Sequence, residues 1–342
     1  MSVSRNLLLR LTGGEALAPA LRIAGRGVRS ILMLHRFTDP ELGVVGTDPR
    51  ALREHLAYLR RHRYRLLGLS DVLPQVESGD GGSTAPAVVF TVDDGYADFA
   101  RVAAPVFAEF DCPVTLFVTT GFLDGQLWLW WDRVAYLFGQ TPRSSLSLHL
   151  GPEPCQYRWS TPSERARVQH DVIQLLEWVD APAREATIDD LARQLGADLP
   201  ATPPPACAPL SWDDVRRTAR RGATFGPHTV THRILSGAPL EACDWEIGES
   251  YRRVRQETDA VVPVLCYPHG GARAFGPREM DAAQRAGLRG AVTAVTGYAG
   301  SAGPFALPRF PCPADRPHLV HIVAGLARLT EPVRPSLPFP GV

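Results

Sequence analysis

Short apolar runs bounded by turn residues alternate along this chain with stretches of helical periodicity. The runs are Ile31–Leu34, Ala87–Val92, Val114–Val118, Ala223–Phe225, Val264–Tyr267, Ala291–Val295 and Phe305–Leu307. Near-continuous apolar strands are what a parallel sheet covered on both faces requires. Helices fit the gaps. Asp48 is placed to cap a helix with Pro49 at its first position, and Leu52, Leu56 and Leu59 form its apolar stripe. Further helices are expected over 98–110, from Ser211 onward with Asp214 completing a capping box, and near 240–257, 277–286 and 316–329. Strand and helix alternating about seven times predict an α/β fold, a distorted or incomplete (β/α)7 barrel of parallel strands.

Residues 124–210 break the rhythm, being too long for one crossover between strands. They hold Trp128, Trp130 and Trp131, helical runs near 163–179 and 187–196, and a Pro-rich linker before Leu210. They read as a helical, aromatic-rich insert capping the barrel of residues 30–330. Residues 1–29 form a basic amphipathic N-terminal segment and residues 331–342 a Pro-rich tail.

Composition narrows the chemistry. The chain has 342 residues, 45% hydrophobic and 21% charged, enough to bury a large core. Its 36 basic residues balance 36 acidic ones, which argues against a nucleic-acid partner. Every basic residue is Arg. With no Lys, Schiff-base chemistry and phosphate loops built on a lysine are excluded. The six cysteines show no paired metal or redox spacing and read as small hydrophobes. No apolar run is long enough to span a bilayer. The N-terminal leucines are interrupted by Arg10, which makes a poor signal peptide. The default expectation is a cytoplasmic protein or one peripheral to the membrane through its basic N-terminal segment, with an extracytoplasmic location left open.

Two constellations carry chemistry. Thr91-Val92-Asp93-Asp94-Gly95 ends one predicted strand, so both carboxylates fall at the strand end where parallel barrels keep their active sites. His228-Thr229-Val230-Thr231-His232 follows another. Histidines four apart on a helical turn face one side and suit a divalent metal. Taken singly, Asp-Asp-Gly is also ordinary turn chemistry and the histidines could be unrelated surface residues. Together, Asp94, His228 and His232 make a two-histidine, one-carboxylate set suited to catalytic zinc or another divalent metal.

These motifs resemble those of the polysaccharide deacetylases of carbohydrate esterase family 4, the NodB-homology domain. That family has a T-F-D-D-G motif where this chain has Thr91–Gly95, and an H-[ST]-x-x-H motif where it has His228–His232. The resemblance covers roughly residues 30–123 and 211–312, and the form Cys266-Tyr267-Pro268-His269-Gly270 is closest to the exopolysaccharide-type branch. It implies that Asp93 is the general base and that Asp94, His228 and His232 bind the metal, zinc first, with Co2+, Ni2+ or Fe2+ as alternatives. It assigns oxyanion binding to the backbone N–H of Tyr267. The family's third-motif Arg and late His acid are missing here. His269 and His35 are then the acid or substrate-binding candidates, Arg309 pairs with Asp93 to hold it ionised, and Trp131 offers a face for a sugar ring. The implied reaction is metal-dependent removal of N-acetyl groups from N-acetylhexosamines of a bacterial polysaccharide or lipid-linked glycan. The implied partner is an acetylated amino-sugar polymer or oligosaccharide, and no oligomeric state is specified. Deformylation or deacylation of another amide, and a catalytically weak glycan-binding protein, are the competing readings.

Overall fold

Parallel strands wrapped by helices organise the chain. A computed structural model describes residues 17–77, 85–150, 154–300 and 303–330. The chain divides into two compact units, one running to Asp124 and resuming at Pro209, the other spanning Gly125–Ala208. Most of the N-terminal segment and the whole Pro-rich tail lie outside the described residues. Among the described residues, no helix is long and apolar enough to cross a membrane.

The strands in chain order are β1 Arg29–Leu34, β2 Arg65–Leu66, β3 Ala87–Val92, β4 Val114–Val118, β5 Ser145–Leu148, β6 Cys155–Arg158, β7 Ala223–Pro227, β8 Val264–Cys266, β9 Gly290–Val292 and β10 Phe310–Pro311. In the first unit the parallel order is β10-β1-β3-β4-β7, with the short β2 also on β3. β8 and β9 form a separate parallel pair. Single-residue parallel bridges, Phe225 to Val261 and Val292 to Leu307, stand at the two seams between that pair and the rest. The result is a distorted, incomplete (β/α) barrel. Every residue of β3 and β4 is buried, as a sheet covered on both faces demands.

Helices cover the sheet. Asp48 accepts the Arg50 N–H at the start of helix Pro49–Arg61, and Leu52, Leu56 and Leu59 are buried along it. Ser211 and Asp214 close a reciprocal capping box at helix Trp212–Ala219. Two core clusters separate the inside of the barrel from its outer layer. Ile31, Val89, Phe117, Val264, Cys266 and Val292 pack inside. Leu265 and Tyr267 turn the other way, against Cys243, Ile247 and Phe275. This is strand alternation applied to β8 and its extension.

Three expectations change. The apolar run Phe305–Leu307 is not a strand: Pro304–Ala306 forms a 3-10 turn, Leu307 makes one bridge, and the strand follows at Phe310–Pro311. Pro304, Pro308 and Pro311 lack the N–H donors that a longer ladder needs. The helix expected over 98–110 begins as a π turn at Phe99–Ala103 before Ala104–Glu109. Pro105 has no N–H to close the ordinary turn there. The third change, at the histidine motif, belongs to the site.

The second unit has its own core. Helix Trp130–Gln140, the antiparallel pair β5–β6 and helices Pro162–Leu176 and Ala181–Leu195 enclose Val134, Leu137, Phe138, Leu146, Val172 and Leu191.

Candidate active site

Asp93 and Asp94 follow β3 directly. Along a regular strand, neighbouring side chains point to opposite faces. Asp94 escapes that alternation by adopting a left-handed backbone, φ 75°, and Gly95 continues the turn at φ 96°. A Cβ on Gly95 would lie 2.8 Å from Leu123 Cδ1, so both backbone and packing call for glycine there. The turn turns both carboxylates into one buried space.

His228 and His232 follow β7, but not on a helical turn. The segment is a loop in which Thr229 (φ 65°) and His232 (φ 58°) are left-handed. It is pinned from several sides. His228 N–H donates to the Val118 carbonyl, while the carbonyls of Thr229 and Val230 accept from the N–H groups of Thr120 and Gly121. His232 N–H donates to Thr229 Oγ1 at 3.0 Å. The loop thus brings both rings to one point without helical periodicity, with centroids 4.7 Å apart and nearly perpendicular.

The three expected metal ligands converge. Asp94 Oδ1 lies 3.6 Å from His228 Nε2 and 3.3 Å from His232 Nε2, and all three residues are buried. A tetrahedral ion with ligands at about 2.1 Å would have ligand–ligand edges of about 3.4 Å. The spacing therefore fits a divalent cation. His228 Nδ1 lies 2.8 Å from the Cys266 carbonyl, which can only accept, so this nitrogen carries the proton and Nε2 presents its lone pair. Burial pushes Asp94 up, but its contacts with His228 and His232 hold it well below the usual carboxylate range. Burial pushes His232 down to about 4. It acts the same way on His228, where Cys266, Asp94 and Asp93 outweigh it and lift the ring well above its ordinary value.

Asp93 is held from the other side by Arg309, at Oδ1 through Nη1 and at Oδ2 through Nη2, each at 2.7 Å. Arg309 immediately precedes β10 and lies inside the barrel, only 1% exposed. It also donates to the Thr293 carbonyl, to Thr91 Oγ1 and to Cys266 Sγ. Burial pushes Asp93 up, but the guanidinium outweighs it and keeps the carboxyl below its ordinary value. Asp93, His228 and Cys266 also lie within mutual reach. That second grouping does not suit a cation, because the Arg309 guanidinium already covers both Asp93 and Cys266. Burial pushes the Cys266 thiol up. None of the six cysteines is in a disulfide.

The remaining candidates divide. His35 directly follows β1, is 47% exposed, and points Nε2 at Asp93 Oδ2 from 3.8 Å. The His269 ring, also left-handed in backbone (φ 59°), sits 5.4 Å from His232. Tyr267 turns away. Its ring stacks on Phe275 at 4.5 Å, its hydroxyl donates to the Phe305 carbonyl, and its backbone N–H donates to the Val292 carbonyl at 3.3 Å. The oxyanion role expected for that N–H is therefore withdrawn, because strand pairing with β9 occupies it. Trp131 belongs to the second unit, edge-on to Trp130 and partly buried against that unit's core.

Two acidic residues escaped sequence reading. Asp98 accepts the Phe37 N–H and the Arg36 Nε–H, holding the chain just after His35. Glu246 accepts the N–H groups of Val230 and Thr231 between the two histidines. Glu246 lies beside the buried stripe Cys243, Ile247, Ser250 and Val254 of helix Leu240–Glu257. A carboxylate at that register is the signal that could have flagged it.

Comparison with known proteins follows the same lines. The family model described as Polysaccharide deacetylase matches residues 155–291, which include His228, His232 and His269 but not Asp93, Asp94 or Arg309. No curated protein matches. Among solved structures, the chain resembles the Streptococcus pyogenes deacetylase PplD in complex with acetate, at 17% identity and TM-score 0.56, over 86% of this chain and 98% of that one. It also resembles IcaB from Ammonifex degensii, at 15% identity and TM-score 0.52, over 87% and 97%. The likeness to these two proteins is one of fold.

Proposed function

We propose that this chain is a metal-dependent hydrolase that removes N-acetyl groups from N-acetylhexosamine residues of a bacterial polysaccharide or lipid-linked glycan. The observation that carries the reading is the convergence of Asp94, His228 and His232 at one buried point with an ionised Asp93 beside them. Asp94, His228 and His232 would hold the ion, zinc first. When bound there, a divalent metal supplies Lewis-acid polarisation of the amide carbonyl and activation of water.

The chain's own residues supply the rest. Asp93 accepts the proton of the attacking water at a carboxylate oxygen. Arg309 fixes the plane of that carboxylate through two parallel N–H···O contacts and keeps it ionised. His269 protonates the leaving amine, and the more exposed His35 contacts the sugar at the mouth. The family match and the deacetylase likeness of the fold support the reaction class.

The test is acetate release from N-acetylglucosamine oligomers and acetylated exopolysaccharide by apo, zinc-loaded and Asp93→Asn protein. Zinc-dependent acetate release that disappears in Asp93→Asn is the expected result. Formate release from a formylated amino sugar instead would replace the substrate. Glycan binding without turnover in zinc-loaded protein would overturn the enzymatic reading.

A further inference from the structure

We propose that Glu246 is the positioning residue that sets the geometry of the two histidine ligands. This rests on the metal-site reading above. Glu246 lies within helix Leu240–Glu257 and is buried. Its Oε2 accepts the Val230 N–H at 2.8 Å and the Thr231 N–H at 2.9 Å, and its Oε1 accepts the Thr231 hydroxyl. All three donors lie on the three-residue stretch separating His228 from His232. An ionised carboxylate is the acceptor-only group that can satisfy them together.

The loop needs such an anchor. It lacks helical hydrogen bonds, and Thr229 and His232 both occupy the sparsely populated left-handed region. Such conformations persist only where the surroundings over-determine them. On one side, the Thr120 and Gly121 N–H groups hold the loop's carbonyls. On the other, Glu246 holds its N–H groups. Removing Glu246 therefore frees the half of the loop that leads into His232, while His228 keeps its Nδ1 contact with the Cys266 carbonyl.

The experiment measures Zn2+ affinity by calorimetry and the ligand-field spectrum of the Co2+ form, alongside apo-protein melting. The proteins are wild type, Glu246→Gln, Glu246→Asp and Thr231→Val. Glutamine keeps the shape, but its neutral carbonyl holds the two backbone N–H groups more weakly than a carboxylate oxygen does, and its NH2 faces the Thr231 hydroxyl. The expected result is a loss of about 10- to 100-fold in Zn2+ affinity for Glu246→Gln, the range typical of outer-shell partners of metal ligands. A smaller loss is expected for Thr231→Val, with partial recovery in Glu246→Asp and a changed Co2+ spectrum in Glu246→Gln. Should Glu246→Gln fail to fold, Thr231→Val, which leaves both backbone contacts intact, carries the test. Folded variants with wild-type affinity and spectrum overturn the positioning role. A wild-type protein that binds neither Zn2+ nor Co2+ overturns the metal reading itself, and the two failures are thereby distinguished.

Discussion

Arg309 holds both oxygens of Asp93 at 2.7 Å, and neither side chain reaches solvent to any extent. The pair ties the residue before β10 to the residue after β3, across the intervening β1, so it braces the sheet as well as setting the base. Removing one partner of a buried pair leaves the other charge uncompensated and typically costs about 3–5 kcal/mol. Arg309→Met is expected to destabilise the fold by that order, with a lower melting temperature, and to depress kcat. Arg309→Lys keeps the charge but not the fork, and should be milder. Thermal melts and steady-state rates of the two variants check this.

The same pair predicts a pH dependence. Asp93 is pushed up by burial but held net below its ordinary value by Arg309. A depressed carboxylate adds stability above its unfolded value of about 3.9 and loses it as pH falls through the folded value. In Arg309→Met burial, which raises the pKa, is opposed only by the smaller influence of His35 and His228. The acidic limb of kcat/KM should then move to higher pH, and the variant should lose stability, relative to wild type, as pH rises. Parallel pH–rate and pH–melting curves would refute this if they overlaid those of the wild type.

Metal binding should also follow pH. A ligand imidazole must give up its second proton, and His228 holds its proton well above the ordinary histidine range because acidic neighbours outweigh burial. Zn2+ affinity should therefore fall on acidification. Chelation should abolish turnover, and re-addition of Zn2+ should restore it. His232→Ala should weaken binding by at least the roughly 10–100-fold seen for outer-shell changes. Calorimetric titration at several pH values measures each effect.

What the sequence made legible was the set of residues, because two motifs at strand ends bring their own spacing. Ala87–Val92 and Val114–Val118 read correctly as strands, since a buried parallel strand is apolar along its whole length. Phe305–Leu307 misled because the same apolar signal is shared by a proline-interrupted turn. The i, i+4 spacing of His228 and His232 suggested a helix, yet the rings meet through two left-handed residues and contacts to Glu246, Thr120 and Gly121. Those partners lie far along the chain, and no local pattern reports them. The backbone N–H of Tyr267 was expected to face substrate, but it bonds the Val292 carbonyl of β9, a partner that no local pattern reports.

His269 and His35 should separate kinetically. His269 lies beside the metal ligand His232, whereas His35 stands half-exposed over Asp93. His269→Gln is expected to lower kcat by the ~10²-fold typical of losing a general acid, and to remove the basic limb of the pH profile. His35→Asn is expected to raise KM with a smaller change in kcat. The reverse pattern would assign the acid to His35.

Gly226 sets how closely β7 lies between its neighbours. A Cβ there would stand 2.7 Å from Phe117 Cε1 and 2.7 Å from the Val264 carbonyl oxygen. The phenyl ring is buried in the barrel core and the carbonyl is backbone of β8, so neither can withdraw cheaply. Gly226→Ala should therefore push β7 away from β4 and β8, at about 1–3 kcal/mol for overpacking. His228 is only two residues further on, so the displacement passes directly to a metal ligand, and Zn2+ affinity should fall with stability. Gly237→Ala is the control, since a Cβ there meets nothing within 4 Å. Equal melting temperatures for the two variants would show that the barrel can absorb the methyl group and that this glycine is not what fixes β7.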